Sequence, residues 1–233
     1  MSDSSTDARR GPTVRVLGLG GSLKPGSTSL SALRVALEGA GAGGAQTEVI
    51  EIGKLELPFY MPQSEDEAPE AARLLAQRVY AADALIWSSP LYHGSISGSF
   101  KNAVDWLQVL GDRNPPYLAT KVVGLIAAAG GTQGLQAINT MEFIVRALRG
   151  WAVPLVVPVA RAWEAFDRDG GVRDDAVAEA LRGLGAEVAR AARQAVRSGT
   201  CDYADDPRPG VDGHREPALS FGPLPGPGDS EGG

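Results

Sequence analysis

The stretch Val14-Arg15-Val16-Leu17-Gly18-Leu19-Gly20-Gly21-Ser22-Leu23-Lys24-Pro25-Gly26-Ser27-Thr28-Ser29 decides how this chain reads. Val14 to Leu19 is a short apolar run between Pro12 and the Gly20-Gly21 pair, the pattern of a buried strand. Beyond the loop, Leu30, Leu33 and Leu37 recur at helical spacing, and Ser27 or Thr28 is placed to cap that helix. Strand, Gly/Ser-rich loop, helix is the arrangement that presents backbone N–H groups to an anion. Ser22, Ser27, Thr28 and Ser29 add hydroxyl donors and Lys24 adds a cation, so the stretch suits a phosphate monoester. Gly21 and Gly26 have the spacing of a P-loop, but Ser27 stands where its lysine must be. Gly18 and Gly20 begin a dinucleotide fingerprint, but Leu23 occupies the position of the third glycine. A loop closing on one terminal phosphate is left, together with an ordinary strand-to-helix turn capped by serines.

Working outward, the pattern repeats. Thr47 to Ile52, Ala84 to Trp87, Val122 to Ala128 and Val153 to Val159 read as strands, the last at a sheet edge because of Pro154 and Pro158. Helical periodicity falls between them. It starts at Pro69 with Leu74, Leu75 and Val79; continues with Phe100, Ala103, Val104 and Leu107; and then with Ile138, Met141, Ile144, Val145 and Leu148. The last helix carries Val177, Leu181, Leu184, Val188, Ala191 and Ala195 on one stripe. Five strands alternating with five helices predict an α/β domain over residues 13–200, a doubly wound five-stranded parallel sheet with helices on both faces. Polar Gly/Ser loops follow strands one, three and four: Ser22 to Ser29, Ser88 to Ser95, and Ala129 to Gly134. In the strand order 2-1-3-4-5 a ligand binds outside the carboxyl ends of the strands, between strands one and three. All three loops then converge on one site, which favours a ligand site over a plain turn.

The chain has 233 residues, 43% of them hydrophobic, enough for one domain with a large core. Its net charge of −6, without a basic cluster, points away from nucleic acid and anionic membranes. No apolar run approaches the roughly 20 residues of a membrane helix. Cys201 is the single cysteine, so no intrachain disulfide forms, which fits a reducing, cytoplasmic setting. Residues 1–12 lack an apolar signal core and read as a disordered lead. In residues 204–233, Pro and Gly make up 13 of 30 positions, above the share of packed domains, so this tail is expected to be disordered.

The residues also carry a family resemblance. Gly21-Ser22-Leu23-Lys24-Pro25-Gly26-Ser27, then Ser89-Pro90-Leu91-Tyr92-His93-Gly94-Ser95 with Gly98 and Lys101-Asn102-Ala103-Val104-Asp105-Trp106, and the Gly130-Gly131 loop, resemble the NAD(P)H-dependent FMN reductase family. The resemblance spans roughly Val14 to Arg193. Trp87-Ser88-Ser89-Pro90, His93-Gly94, Gly130-Gly131-Thr132-Gln133 and the segment Ala162 to Gly170 are also similar to the arsenical-resistance flavoproteins. Ala127-Ala128-Ala129 departs from many relatives, which carry a serine before the glycine pair.

The resemblance implies a flavodoxin-like fold, bound FMN, hydride transfer from NAD(P)H to a small-molecule acceptor, and a homodimer or homotetramer. The acceptor could be free flavin for a partner monooxygenase, a quinone, an azo dye or oxygen; an FMN-binding electron carrier is the alternative. Carried over by motif position, Ser22, Lys24, Ser27, Thr28 and Ser29 would hold the FMN phosphate. Pro90, Leu91, Tyr92, His93, Gly94 and Ser95 would border the isoalloxazine and ribityl chain, and Ala129, Gly130 and Gly131 the pyrimidine edge. The flavin brings its own redox chemistry, so no catalytic dyad is needed. His93 lacks the Cys or His company of a metal ligand. Lys101 and Asp105 read as an exposed i, i+4 pair, and Asn102 as a support for the second loop.

Overall fold

Residue alternation along the strands sorts side chains into two cores. Leu17, Leu19, Leu85, Trp87, Val123 and Leu125 face one side, and Val16, Ala84, Ile86, Val122 and Ile126 the other. This is the period-2 pattern of strands buried on both faces. The computed structural model describes residues 13–20 and 22–198. The expected lead, the expected tail, Gly21, Cys201 and His214 lie outside the described residues.

The chain runs β1 (Arg15–Gly20), α1 (Thr28–Ala42), β2 (Gln46–Glu51), α2 (Ile52–Leu55), α3 (Glu70–Ala81), β3 (Ala84–Tyr92), β4 (Ser95–Ile96) and α4 (Gly98–Trp106). A 3-10 turn (Leu107–Leu110) precedes β5 (Val122–Ala128), α5 (Leu135–Ala147), β6 (Trp151–Val159), α6 (Ala162–Ala165) and α7 (Asp175–Arg197). The sheet order is β2-β1-β3-β5-β6, with every neighbour parallel and only the short β4 antiparallel to β3. Counted without β4, this is the expected order 2-1-3-4-5, a flavodoxin-like sheet. α1 and α7 bury their stripes in one core, and α3, α4 and α5 theirs in the other.

Three departures from the sequence reading bear on the site. β3 continues past Trp87 to Tyr92 and folds back as β4, so part of the expected second loop is a hairpin. β6 begins at Trp151, leaving Pro154 and Pro158 inside it. Pro154 is tolerated because its register against β5 jumps between the Val123–Ala152 and Leu125–Val156 pairs, a bulge on an edge strand. The two short helices α2 and α6 are too brief for periodicity to reveal.

α1 and α7 cross unusually closely. A Cβ on Gly185 would collide with the Ala36 carbonyl oxygen, and one on Gly39 with the Arg182 carbonyl oxygen. Gly39, buried within α1, is therefore one of the two crossing points.

Candidate functional site

The strand register sets where the loops leave the sheet. Gly20, the last residue of β1, pairs with Ser88, and Ala128, the last of β5, pairs with Pro90. The parallel strands therefore release the three polar loops at one edge, with β1 and β3 adjacent.

In the first loop, Ser27 caps α1, its side-chain oxygen accepting from the Leu30 amide at 3.3 Å. Its hydroxyl also lies 3.1 Å from that of Ser29, which is buried. Ser88 on β3 donates its hydroxyl to the Ser29 carbonyl at 2.7 Å and so ties the start of α1 to the sheet. Ser22 accepts from the Lys24 amide at 3.2 Å, which bends the loop tip. Lys24 is exposed and makes no ion pair among the described residues. Thr28, at the first position of α1, is half-buried. The α1 N-terminus thus carries the unpaired amides and positive dipole end common to helix starts. A cleft opens between this loop and α2, lined by Ser22, Lys24, Glu51, Gly53 and Lys54. Glu51 in it is paired with Arg34 at 2.7 Å and Lys54 at 3.2 Å.

The second segment is more ordered than its composition suggests. Leu91 pairs with Ile96 and Tyr92 with Ser95, leaving His93 and Gly94 as a two-residue hairpin turn. Both have positive φ, 49° and 80°, the backbone requirement of the primed turns that match strand twist. Pro90 is buried, Leu91 and Ser95 half-buried, and Tyr92, His93 and Gly94 exposed. Below the turn, Ser89 accepts from the Ser97 amide at 3.0 Å, and Ser97 caps α4 by accepting from the Phe100 amide. Sequence reading did not single out Ser97; its place three residues before Phe100 is the capping signal that marks it.

The third loop follows β5. Ala129 is buried and its backbone is consumed internally: its amide donates to the Val159 carbonyl at 2.9 Å and its carbonyl accepts from the Ala162 amide at 3.0 Å. Gly130 and Gly131 are exposed, and neither has positive φ. Glycine serves close approach here: a Cβ on Gly130 would sit 3.4 Å from the Trp163 ring, while one on Gly131 would meet nothing within 4 Å. Trp163 was not singled out from sequence, because it follows β6 in a four-residue helix with no periodicity.

One sequence reading around α4 resolves differently. Asn102 does not support the hairpin. It accepts from the Tyr60 amide at 2.8 Å and donates to the Pro58 carbonyl at 2.9 Å, holding the Leu57 to Pro62 loop instead. Trp106 is buried and donates its indole N–H to the same carbonyl at 2.8 Å. Lys101 and Asp105 form the expected exposed pair. Among the described residues no His/Cys/Asp/Glu group could hold a metal, and no helix is long and apolar enough to cross a membrane.

A parallel sheet in this order, with hydroxyl- and glycine-rich loops at the β1/β3 switch point, defines a flavodoxin-like mononucleotide-binding protein. More narrowly, residues 14–164 match the NADPH-dependent FMN reductase family, and the chain belongs to that family. That family's description names NADPH and FMN.

An FMN-dependent NADPH-azoreductase of Staphylococcus aureus (strain USA300) is 38% identical over 105 residues, 45% of this chain and 53% of that protein. The chain thus spans about half the length of the curated relatives it matches. Among solved structures, the flavoenzyme NAD(P)H:(acceptor) oxidoreductase FerB from Paracoccus denitrificans superposes with a TM-score of 0.63 at 24% identity, covering 78% of this chain and 98% of its own. RosB, solved with 8-demethyl-8-formylriboflavin-5'-phosphate bound, reaches a TM-score of 0.66 at 15% identity over 94% of this chain and 98% of its own. At these identities the superpositions speak to the fold.

Proposed function

We propose that the protein is an FMN-dependent NAD(P)H oxidoreductase serving a small-molecule acceptor such as a quinone, free flavin or azo compound. The observation that carries this reading is the pairing, on one sheet edge, of a phosphate-suited helix start with an open glycine floor. The donor set at α1 fits a phosphate monoester: Lys24, without an ion pair among the described residues, the Ser22 and Thr28 hydroxyls, and first-turn amides beside a positive dipole end. The Gly130–Gly131 stretch leaves room for a flat ring to approach backbone N–H groups, since no side chain projects from it.

FMN bound there would supply the redox chemistry between NAD(P)H and the acceptor. The chain's own residues bind and orient. Lys24 and the α1 start hold the phosphate. Ser27 and Ser29 keep that start in shape through the cap and the link to Ser88. Pro90, Leu91, Tyr92, His93, Gly94 and Ser95 form one border of the ring site, with the hairpin fixing where the Tyr92 ring stands. Ala129 anchors the third loop, and the Gly130 and Gly131 amides donate toward charge that develops at the pyrimidine edge.

The reading extends to assembly. Phe59 and Met61 are exposed on a loop whose backbone is pinned to α4, which suits a second copy of this chain. We therefore assign a homodimer or homotetramer, in the cytoplasm, able to hand reduced flavin to a monooxygenase. Light scattering of the purified protein tests the assembly, and a monomer at micromolar concentration overturns it.

The function is tested by extracting the bound flavin and mixing the loaded protein with nicotinamide nucleotide in the absence of acceptor. FMN, not FAD, is expected, and its visible absorbance should bleach within the turnover time. Failure to bleach with both NADH and NADPH overturns the reductase and favours an electron carrier reduced by another protein.

A further inference from the structure

Single exposed apolar side chains are ordinary on a protein surface. Trp163 differs from the others in how firmly it is held and where. The residue is 59% exposed, yet the turn that carries it is stitched to the Gly130–Gly131 loop. The Arg161 amide donates to the Gly131 carbonyl at 3.3 Å, and the Ala162 amide to the Ala129 carbonyl at 3.0 Å. Arg161 itself adopts left-handed backbone angles, φ 42° and ψ 51°. For a non-glycine residue this conformation is costly and persists only where the surroundings enforce it. Ala162 and Ala165 are buried, so the short helix is anchored from beneath while Trp163 points outward. The Arg161 guanidinium pairs with Glu164 at 2.9 Å, which keeps a cation and a carboxylate along the same turn.

The consequence is a large aromatic plane at a fixed offset from a glycine floor. A Cβ added to Gly130 would lie 3.4 Å from the ring, and one added to Gly131 would meet nothing within 4 Å. An aromatic face fixed beside open space is a stacking surface for another flat ring. We propose that Trp163 is the wall on which the planar ring of the electron acceptor, a fused-ring quinone, stacks as it enters the site. This rests on the reductase reading above and adds to it the residue that selects flat acceptors over compact ones.

The test uses the full-length, FMN-loaded protein. Rates with NADPH are measured with menadione, a planar naphthoquinone, and with ferricyanide, a compact octahedral acceptor, for wild type, Trp163→Ala and Trp163→Phe. The ratio of kcat/KM for menadione to that for ferricyanide should fall roughly tenfold in Trp163→Ala, and return to within about threefold of wild type in Trp163→Phe. Binding gives an independent readout. Titrating the oxidised protein with menadione should quench tryptophan emission, Trp163→Ala should lose that quench, and Trp151→Ala should keep it. A ratio within about twofold of wild type in Trp163→Ala, or a quench that survives there, overturns the wall. If wild type oxidises neither nucleotide with ferricyanide, the reductase reading is what fails, and the quench titration then decides the wall alone.

Discussion

At the residue scale, two charged side chains behave in opposite ways. Lys24 is exposed on the first loop with no carboxylate partner among the described residues, so its charge is available to a ligand. A charge-assisted bond to a phosphate is worth about 1.5–3 kcal/mol. Lys24→Ala should therefore weaken FMN binding roughly ten- to hundredfold, read by fluorescence titration of the apoprotein; an unchanged affinity would remove the phosphate role. Glu48 on β2 is held against Arg78 at 3.4 Å with one carboxylate oxygen buried and unbonded. Burial raises its carboxyl above the ordinary value of 4.5, and the Arg78 charge only partly offsets that. The sign follows. Ionised Glu48 costs stability at neutral pH, and the cost disappears as pH falls through its raised folded value toward 4.5. Glu48→Gln never carries that charge. Its melting temperature relative to wild type should be highest near neutrality and should decline on acidification; a difference independent of pH would contradict the burial effect.

At the element scale, the α1–α7 crossing depends on two missing side chains. With Ala at position 185, the new methyl would collide with the Ala36 carbonyl in a helix backbone, which has no rotamer by which to yield. The helices must separate, and the cost should be about 3 kcal/mol, a fall of roughly 10 °C in melting temperature. Ala at Gly41, whose Cβ would meet nothing within 4 Å, should leave the melting temperature near wild type or slightly higher. If both variants melt alike, the close crossing is wrong. The same elements show what a sequence discloses. Four of the five long strands were legible because each is an apolar run cut off by Gly, Ser or Pro, β2 because Val49 and Ile50 stand in a short β-prone stretch ended by Gly53, and α1 because Ser27 carries the cap. The hairpin after β3 was not. Its turn places His93 rather than Asn or Gly in a left-handed position, so the usual two-residue signal is absent. Asn102 was assigned to the wrong loop because its partners lie 42 and 44 residues away, a separation that no local pattern encodes. Trp163 was missed for the same reason: what gives it meaning is the hydrogen bonding of its turn to the Ala129–Gly131 loop, across a strand and a helix.

At the scale of the whole molecule, the topology limits how two substrates can use the site. β1, β3 and β5 are parallel and in register, so their loops can open only at one edge. The first and third loops are each closed by protein on the opposite face: α1 is tied to β3 through Ser88 and Ser29, and the third loop is tied to α6 and the end of β6. A flat cofactor laid across these loops therefore has one open face. On the proposed reductase function, nicotinamide and acceptor would then take turns at it, the first leaving before the second arrives. Initial rates against NADPH at several fixed acceptor concentrations should give parallel double-reciprocal lines, the pattern of a ping-pong scheme. NADP⁺ should compete with the acceptor, because both bind the same face of the protein after hydride has been delivered. The outcome that defeats this argument is a family of intersecting lines, since that requires both substrates bound together. It would place a second mouth on the site, and the candidate for it is the cleft between the first loop and α2, where Lys24 and Lys54 flank Glu51. Charge reversal at Lys54 would then raise the KM for NADPH, whereas with one shared mouth it should leave that constant within about twofold.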